Sequence, residues 1–197
     1  MEPSVNRNLG CKLFYATGKA IGEERFANQT VCGYQIIMAG TGVLPFIRGI
    51  DLTMNNLESD RFPEVMEDMT SLRWLRLTDT NLKTIPLELN KLSKLEHLTL
   101  KRNNVDSIQT GDLSSLKCLR TLNLSRNNLG TSGVPLDIFD NEELNTLDLS
   151  HNKLGEVPEG IFRAKSILVL NLSYNQLEVI PSQLLMNTTD LLHFDVR

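Results

Sequence analysis

Cysteine is scarce in this sequence of 197 residues, and no two cysteines stand close together. The three cysteines are Cys11, Cys32 and Cys118. They form neither a Cys-x-x-Cys pair nor the closely spaced set that a framework of disulfide bridges requires. This scarcity argues against a small secreted disulfide scaffold and favours a reducing compartment.

Long apolar runs and basic runs are also missing. The most apolar stretch of the N-terminal region, QIIMAGTGVLPFI, is interrupted by Gly40, Gly42 and Pro45 and is too short to span a bilayer. No apolar core of secretion-signal length precedes it. The formal net charge is −4 and the pI about 5.4, so nucleic acid and anionic membrane surfaces are poor candidate partners. We therefore expect a cytoplasmic protein, with the nucleus as the alternative, that neither binds nucleic acid nor inserts into membranes.

One motif recurs along most of the chain. The stretch LNTLDLSHNKL (144–154) has similar copies that start at 47, 72, 95, 119 and 167, and a seventh copy at 191 is cut short at Arg197. The successive steps are 25, 23, 24, 25, 23 and 24 residues. A fixed period of this length is typical of repeat architectures, in which each unit buries its apolar face only against its neighbours.

The alternation within each copy predicts a short strand. Leu147 and Leu149 lie two residues apart and therefore point to one face, whereas Thr146, Asp148 and Ser150 point to the other. Copies stacked about 4.8 Å apart would form a parallel sheet with a continuous leucine core. The polar side chains would then line the opposite, concave face.

Asparagine occupies the turn that leaves each strand. An amide has donors and an acceptor, so it can satisfy the backbone of its own unit and of the next one. The second copy has Thr80 in this column, and we expect a weaker join there. The members of the column are Asn55, Asn103, Asn127, Asn152 and Asn175.

The remainder of each copy predicts a short return on the convex side. IPLELNKL (85–92) contains Pro86, a residue suited to the first helical position. Ile85, Leu89 and Leu92 have helical spacing and make a one-sided helix of one or two turns. The fold class is therefore α/β, a solenoid with a curved parallel sheet inside and short helices or turns outside. We assign the array to residues 44–197, with seven units, and treat 1–43 as an extension or cap.

Six nearly complete copies of LxxLxLxxNxL identify the leucine-rich repeat pattern. The stretches MAGTGVLPFIRGIDLT (38–53), FPEVMEDMTSLRWLRL (62–77), SGVPLDIF (132–139) and LDLSHNKL (147–154) further resemble the start of the flightless family. In that family a longer repeat array precedes gelsolin-like actin-binding domains. The resemblance implies an N-terminal repeat fragment, with actin binding, severing and capping in missing domains.

The family's usual start matches Met38, which leaves residues 1–37 as an addition. We expect a poorly ordered tail there. The alternative is a short helix that caps the array with Phe14, Tyr15, Ile21 and Phe26.

Candidate functional residues lie in the columns of the predicted concave face. Aromatic residues and arginine are enriched among binding hot spots, and we predict five partner contacts: Trp74, Arg76, Arg102, Arg126 and Tyr174. Catalysis and cofactors are not expected. His97 and His193 lie four units apart, about 19 Å, too far to share a metal ion, and His151 has no nucleophile placed beside it.

The sequence therefore favours a scaffold for protein–protein interaction. The resemblance implies Ras-like GTPases or coiled-coil proteins as partners of the array, and a location at the cytoskeleton. A second hypothesis keeps the fold and makes the chain an adaptor of Ras signalling or a phosphatase regulator. A third, an extracellular receptor, requires a signal sequence and cysteine-rich caps.

Overall fold

The computed structural model describes residues 11–15, 20–24, 47–57, 66, 68–184 and 191–197. Within these ranges one sheet contains nine strands, and its last seven run parallel. The predicted parallel sheet, with one strand per repeat, is confirmed. In chain order the strands are β1 (Cys11–Tyr15), β2 (Ala20–Glu24), β3 (Ile47–Asp51), β4 (Trp74–Arg76), β5 (His97–Thr99), β6 (Thr121–Asn123), β7 (Thr146–Asp148), β8 (Val169–Asn171) and β9 (His193–Asp195).

The repeat period fixes the register of the parallel strands. Each strand aligns with its neighbour so that the apolar residue at its centre meets the equivalent residue of the next unit, as Leu98 meets Leu122 and Leu122 meets Leu147. Leu122, Leu147 and Leu170 are at most 1% exposed. Each fully buried leucine stabilises the fold by roughly 1.5–3 kcal/mol relative to an exposed one. The predicted leucine core is therefore present and continuous.

The N-terminal strands form an antiparallel hairpin beside the first repeat. Strand β1 lies between β2 and β3 and pairs antiparallel with both, with Lys12 opposite Asp51 and Phe14 opposite Gly49. We had expected a poorly ordered tail or a capping helix in 1–43. The segments described there are strands, because the backbone groups along the open edge of β3 accept a further strand. Phe26, the last residue of the expected helix, lies outside the described residues.

Short 3-10 helices return the chain on the convex side. Three of them have five residues, Leu87–Lys91, Leu136–Asp140 and Glu159–Arg163, and a single turn spans Thr131–Gly133. The prolines precede the five-residue helices as N-cap residues with extended backbone, not as first helical residues. The third unit has turns instead of a helix at 110–115, where Gly111 has φ +96°. Ile85, Leu89 and Leu92 are buried, as the one-sided pattern predicts.

Candidate functional site

Four asparagines of the turn column each join two units, whereas the Asn55 side chain bonds only within its own unit among the described residues. The Asn127 amide nitrogen donates hydrogen bonds to the carbonyls of Leu124 in its own unit and Leu100 in the preceding one, both at 2.9 Å. Its Oδ1 accepts from the Val105 backbone N–H at 3.1 Å. Asn103, Asn152 and Asn175 repeat this pattern. The bonds reach the preceding unit, whereas the sequence led us to expect the following one.

Thr80 fits the column in a different way. Its hydroxyl donates to the Leu77 carbonyl of its own unit, and its backbone N–H donates to Asn103 Oδ1 of the third unit, both at 3.0 Å. Towards the first unit, the Leu57 N–H donates to the Thr80 carbonyl at 2.8 Å. A hydrogen bond between backbone groups thus replaces the bond that an asparagine Oδ1 accepts at this position in the other units.

The residue before each asparagine has a left-handed backbone. Its φ lies between 54° and 61° in all six complete units, and none of these residues is glycine. The left-handed region costs an L-residue roughly 1–2 kcal/mol, and asparagine, aspartate and histidine are found there more often than other residues with a side chain. We call this column the ridge, because it borders the concave face. Its members are Met54, Asp79, Arg102, Arg126, His151 and Tyr174.

Several polar side chains of the predicted concave face are hydrogen-bonded to one another. The Ser125 backbone N–H and hydroxyl donate to Asn123 Oδ1 at 2.9 and 2.7 Å, and Ser173 bonds Asn171 in the same manner. Ser125, Ser150 and Ser173 are at most 5% exposed. In these three units the serine column cannot reach a partner, so contact is left to the strand side chains and the ridge.

The predicted contacts Trp74 and Arg76 lie together on β4. A methyl group added at Gly49 would lie 1.9 Å from Cε2 of the Trp74 indole, which shows that the ring rests across the glycine of β3. Trp74 is accordingly half-buried. Arg76 Nη1 lies 3.0 Å from Asp51 Oδ2, so its charge is already paired.

Three ridge residues of consecutive units contact one another in succession. The rings of His151 and Tyr174 lie parallel, with centroids 4.2 Å apart and planes 8° from each other. Arg126 Nη2 lies 3.5 Å from His151 Nε2. Tyr174 is 62% exposed.

The five predicted contacts therefore fall into two groups. Trp74 and Arg76 share a strand near the beginning of the array, whereas Arg102, Arg126 and Tyr174 lie on the ridge. Sequence reasoning missed His151 as the residue that connects Arg126 to Tyr174. The signal was present, because the repeat alignment places these three residues at one position of consecutive units.

The last strand ends in a local ion pair. Arg197 Nη2 lies 2.9 Å from Asp195 Oδ2. The hydrogen bond from Arg197 lowers the pKa of Asp195 to about 2. The charge of Arg197 is thereby satisfied within its own unit.

The described residues contain no group of three or more metal-ligating side chains close enough to hold an ion. Within the same ranges, no helix has the length and apolar character to cross a bilayer.

Comparison with known proteins gives consistent results. A family model described as Leucine rich repeat matches residues 70–129 and 142–197. The flightless-1 homologue of Caenorhabditis elegans is 47% identical over 79% of this chain, and that of Homo sapiens is 51% identical over 78%. The chain spans 12% of the length of each. The resemblance to the flightless family is confirmed.

A solved structure supports the same fold. A leucine-rich repeat protein of Leptospira interrogans aligns with a TM-score of 0.58 and 25% identity. The alignment covers 76% of this chain and 43% of that one.

Proposed function

Since the chain belongs to the leucine-rich repeat family, we propose that its concave face and ridge bind a protein partner through Trp74, Arg76, Arg102, Arg126 and Tyr174. The observation that carries this proposal is that different side chains of each unit lie in the interior and at the surface. Leucines and asparagines fill the interior, whereas Arg76, Arg102, Arg126 and Tyr174 are exposed. Such side chains carry much of the energy of protein interfaces. The function is binding without catalysis.

The likeness to flightless-1 homologues supports a role in an actin regulator. We assign actin binding, severing and capping to gelsolin-like domains outside the region that matches this chain. The repeat array would then bring such a regulator to its partners at the cytoskeleton. Ras-like GTPases and coiled-coil proteins are the partner classes that the family resemblance implies, with a Ras-signalling adaptor or phosphatase regulator as the second candidate.

An affinity capture with the full chain tests the proposed surface. Purified protein, Trp74→Ala and Arg102→Glu are immobilised at equal density and exposed to lysate, and captured proteins are quantified by mass spectrometry. We expect a set of proteins that the unmodified chain retains and that both variants lose by roughly tenfold, as truncation of a hot spot implies.

Two controls make the result interpretable. Thermal unfolding of each variant shows whether the array is intact. Leu87→Ala removes an apolar side chain from the convex side, where Leu87 is 72% exposed. Equal capture by the unmodified chain and both surface variants would reject the concave face as the binding surface.

A further inference from the structure

The two arginines of the ridge differ from the other arginines that the structure describes. Of the arginine side chains that the structure describes, four form ion pairs with a carboxylate and Arg48 donates to the Ser71 carbonyl. The four pairs are Arg73–Glu96, Arg76–Asp51, Arg120–Glu143 and Arg197–Asp195. Arg102 and Arg126 alone have no carboxylate or carbonyl partner among the described residues, and both are exposed.

The left-handed backbone of Arg102 and Arg126, with φ of 56° and 58°, is shared by the other residues of the ridge, and glycine would fit there without strain. The Arg126 guanidinium contacts the His151 ring, and the Arg102 guanidinium has no hydrogen-bond partner among the described residues. Both charged groups are therefore available to a partner.

Arg102, Arg126, His151 and Tyr174 occupy consecutive units and form one strip. At strand spacing the strip is about 14 Å long, which a short extended peptide covers. Its basic end is suited to carboxylates, and its other end carries the exposed Tyr174 ring. Beside it, the buried serines leave little polar floor for a partner to contact.

We propose that the strip from Arg102 to Tyr174 binds a short acidic segment of a partner protein. Its carboxylates bind Arg102 and Arg126, and an apolar side chain packs on Tyr174. The proposal rests on the proposed function and names the chemistry of the partner. Nucleic acid fits less well, because the chain has a net charge of −4 and Asp79 continues the ridge next to Arg102.

The test measures peptide binding to the full chain by fluorescence anisotropy. The probe is a fluorescein-labelled peptide in which glutamate alternates with serine around one phenylalanine. A matched peptide has lysine in place of glutamate, and a third has alanine in place of phenylalanine. We expect the glutamate peptide to bind, the lysine peptide not to bind, and affinity to fall as salt increases.

Glycine variants remove ridge side chains and keep the left-handed backbone accessible. Arg102→Gly and Arg126→Gly should each weaken binding of the glutamate peptide on the order of tenfold, since a charge-assisted hydrogen bond is lost. Tyr174→Gly should weaken binding of the phenylalanine peptide and leave the alanine peptide unchanged. Thermal unfolding should show these variants at least as stable as the unmodified chain.

Two matched variants distinguish an effect of the ridge on peptide binding from an effect of net charge. Arg120→Ala removes the same charge from the same unit as Arg126, away from the ridge, and should leave binding unchanged. Asp79→Gly removes a negative charge from the ridge itself and should leave binding unchanged or strengthen it.

Three results would overturn the proposal. The first is that the Arg102→Gly, Arg126→Gly double variant binds the glutamate peptide as tightly as the unmodified chain. The second is that Arg120→Ala loses as much affinity as Arg126→Gly. The third is that single-stranded oligothymidine binds through the same arginines. If the peptide binds regardless of the ridge while Trp74→Ala loses its captured proteins, the ridge assignment fails and the proposed function stands.

Discussion

At the scale of single residues, the asparagine of each turn is the polar group on which the join between units depends. Its side chain is buried in three of the units, where no water can replace the hydrogen bonds that it makes. The carbonyls and the N–H that it satisfies belong to two different coils. Loss of the amide therefore weakens the contact between units as well as the turn.

Replacement of Asn127 by alanine should destabilise the array by roughly 1–3 kcal/mol, because buried carbonyls and an N–H lose their partner. Urea unfolding followed by circular dichroism measures this change. The matched control is Asn104→Ala, at an exposed asparagine whose side chain bonds only Asn81 among the described residues; its stability should stay within about 0.5 kcal/mol of the unmodified chain. Equal losses in the two variants would contradict a special role for the buried column.

The position of Trp74 depends on the glycine of the neighbouring strand. Gly49→Ala would place a methyl group inside the indole, so the ring must leave its position and become more exposed. Trp74 is the only tryptophan of the chain, so its fluorescence reports this site alone. We expect a red shift of the emission maximum and a loss of about 1–3 kcal/mol in stability.

Gly130→Ala is the matched control for this prediction. An added methyl group there meets nothing within 4 Å, and φ is −87°. Its emission spectrum should equal that of the unmodified chain. An unshifted spectrum in Gly49→Ala would show that the indole does not rest across Gly49.

At the scale of elements, the edges of the sheet decide how the array ends. The hairpin of β1 and β2 covers the N-terminal edge of β3 with an antiparallel pairing. An uncovered edge offers unpaired N–H and C=O groups to other chains. The hairpin thus satisfies the first repeat strand, as each later unit satisfies the strand before it.

Removal of residues 1–37 should lower the stability of the array and expose Ile47–Asp51. The physical reason is the loss of the ladder between β1 and β3. Amide hydrogen exchange would show faster exchange in β3, with little change in β6 or β7, which lie three and four strands away from β3. Unchanged protection of β3 would mean that the hairpin contributes nothing to the array.

At the scale of the whole molecule, stability is distributed along a stack in which each unit contacts only its neighbours. The buried leucines form one cluster from Ile47 to Leu184. A defect in a central unit therefore removes support from the units on both sides. Exposed apolar residues on the convex side have no such role.

Leu147→Ala should cost about 2–5 kcal/mol, since the leucine is 1% exposed and a cavity would remain at the centre of the array. Leu87→Ala, at 72% exposure, should change stability by less than about 0.5 kcal/mol. Urea unfolding of both variants measures the difference. Similar losses would contradict the assignment of Leu147 to a shared core.

The sequence alone determined the repeat, the parallel sheet and the leucine core. Equivalent residues such as Leu98, Leu122 and Leu147 recur at nearly equal intervals, and a strand with one apolar face is stable only beside another copy. The asparagine column also follows from the sequence, because a turn that leaves a buried strand needs donors and acceptors at that point. These features follow from residues that recur at the same positions of successive units.

Only the tertiary structure decided the left-handed backbone of the ridge, the burial of Ser125, Ser150 and Ser173, and the antiparallel hairpin. It also decided the position of the Trp74 ring across Gly49. The physical reason is that these features depend on how one coil closes against the next. The sign of φ at a turn and the exposure of a serine are set by the carbonyls and rings of the neighbouring unit. No residue pattern within a single copy contains that information.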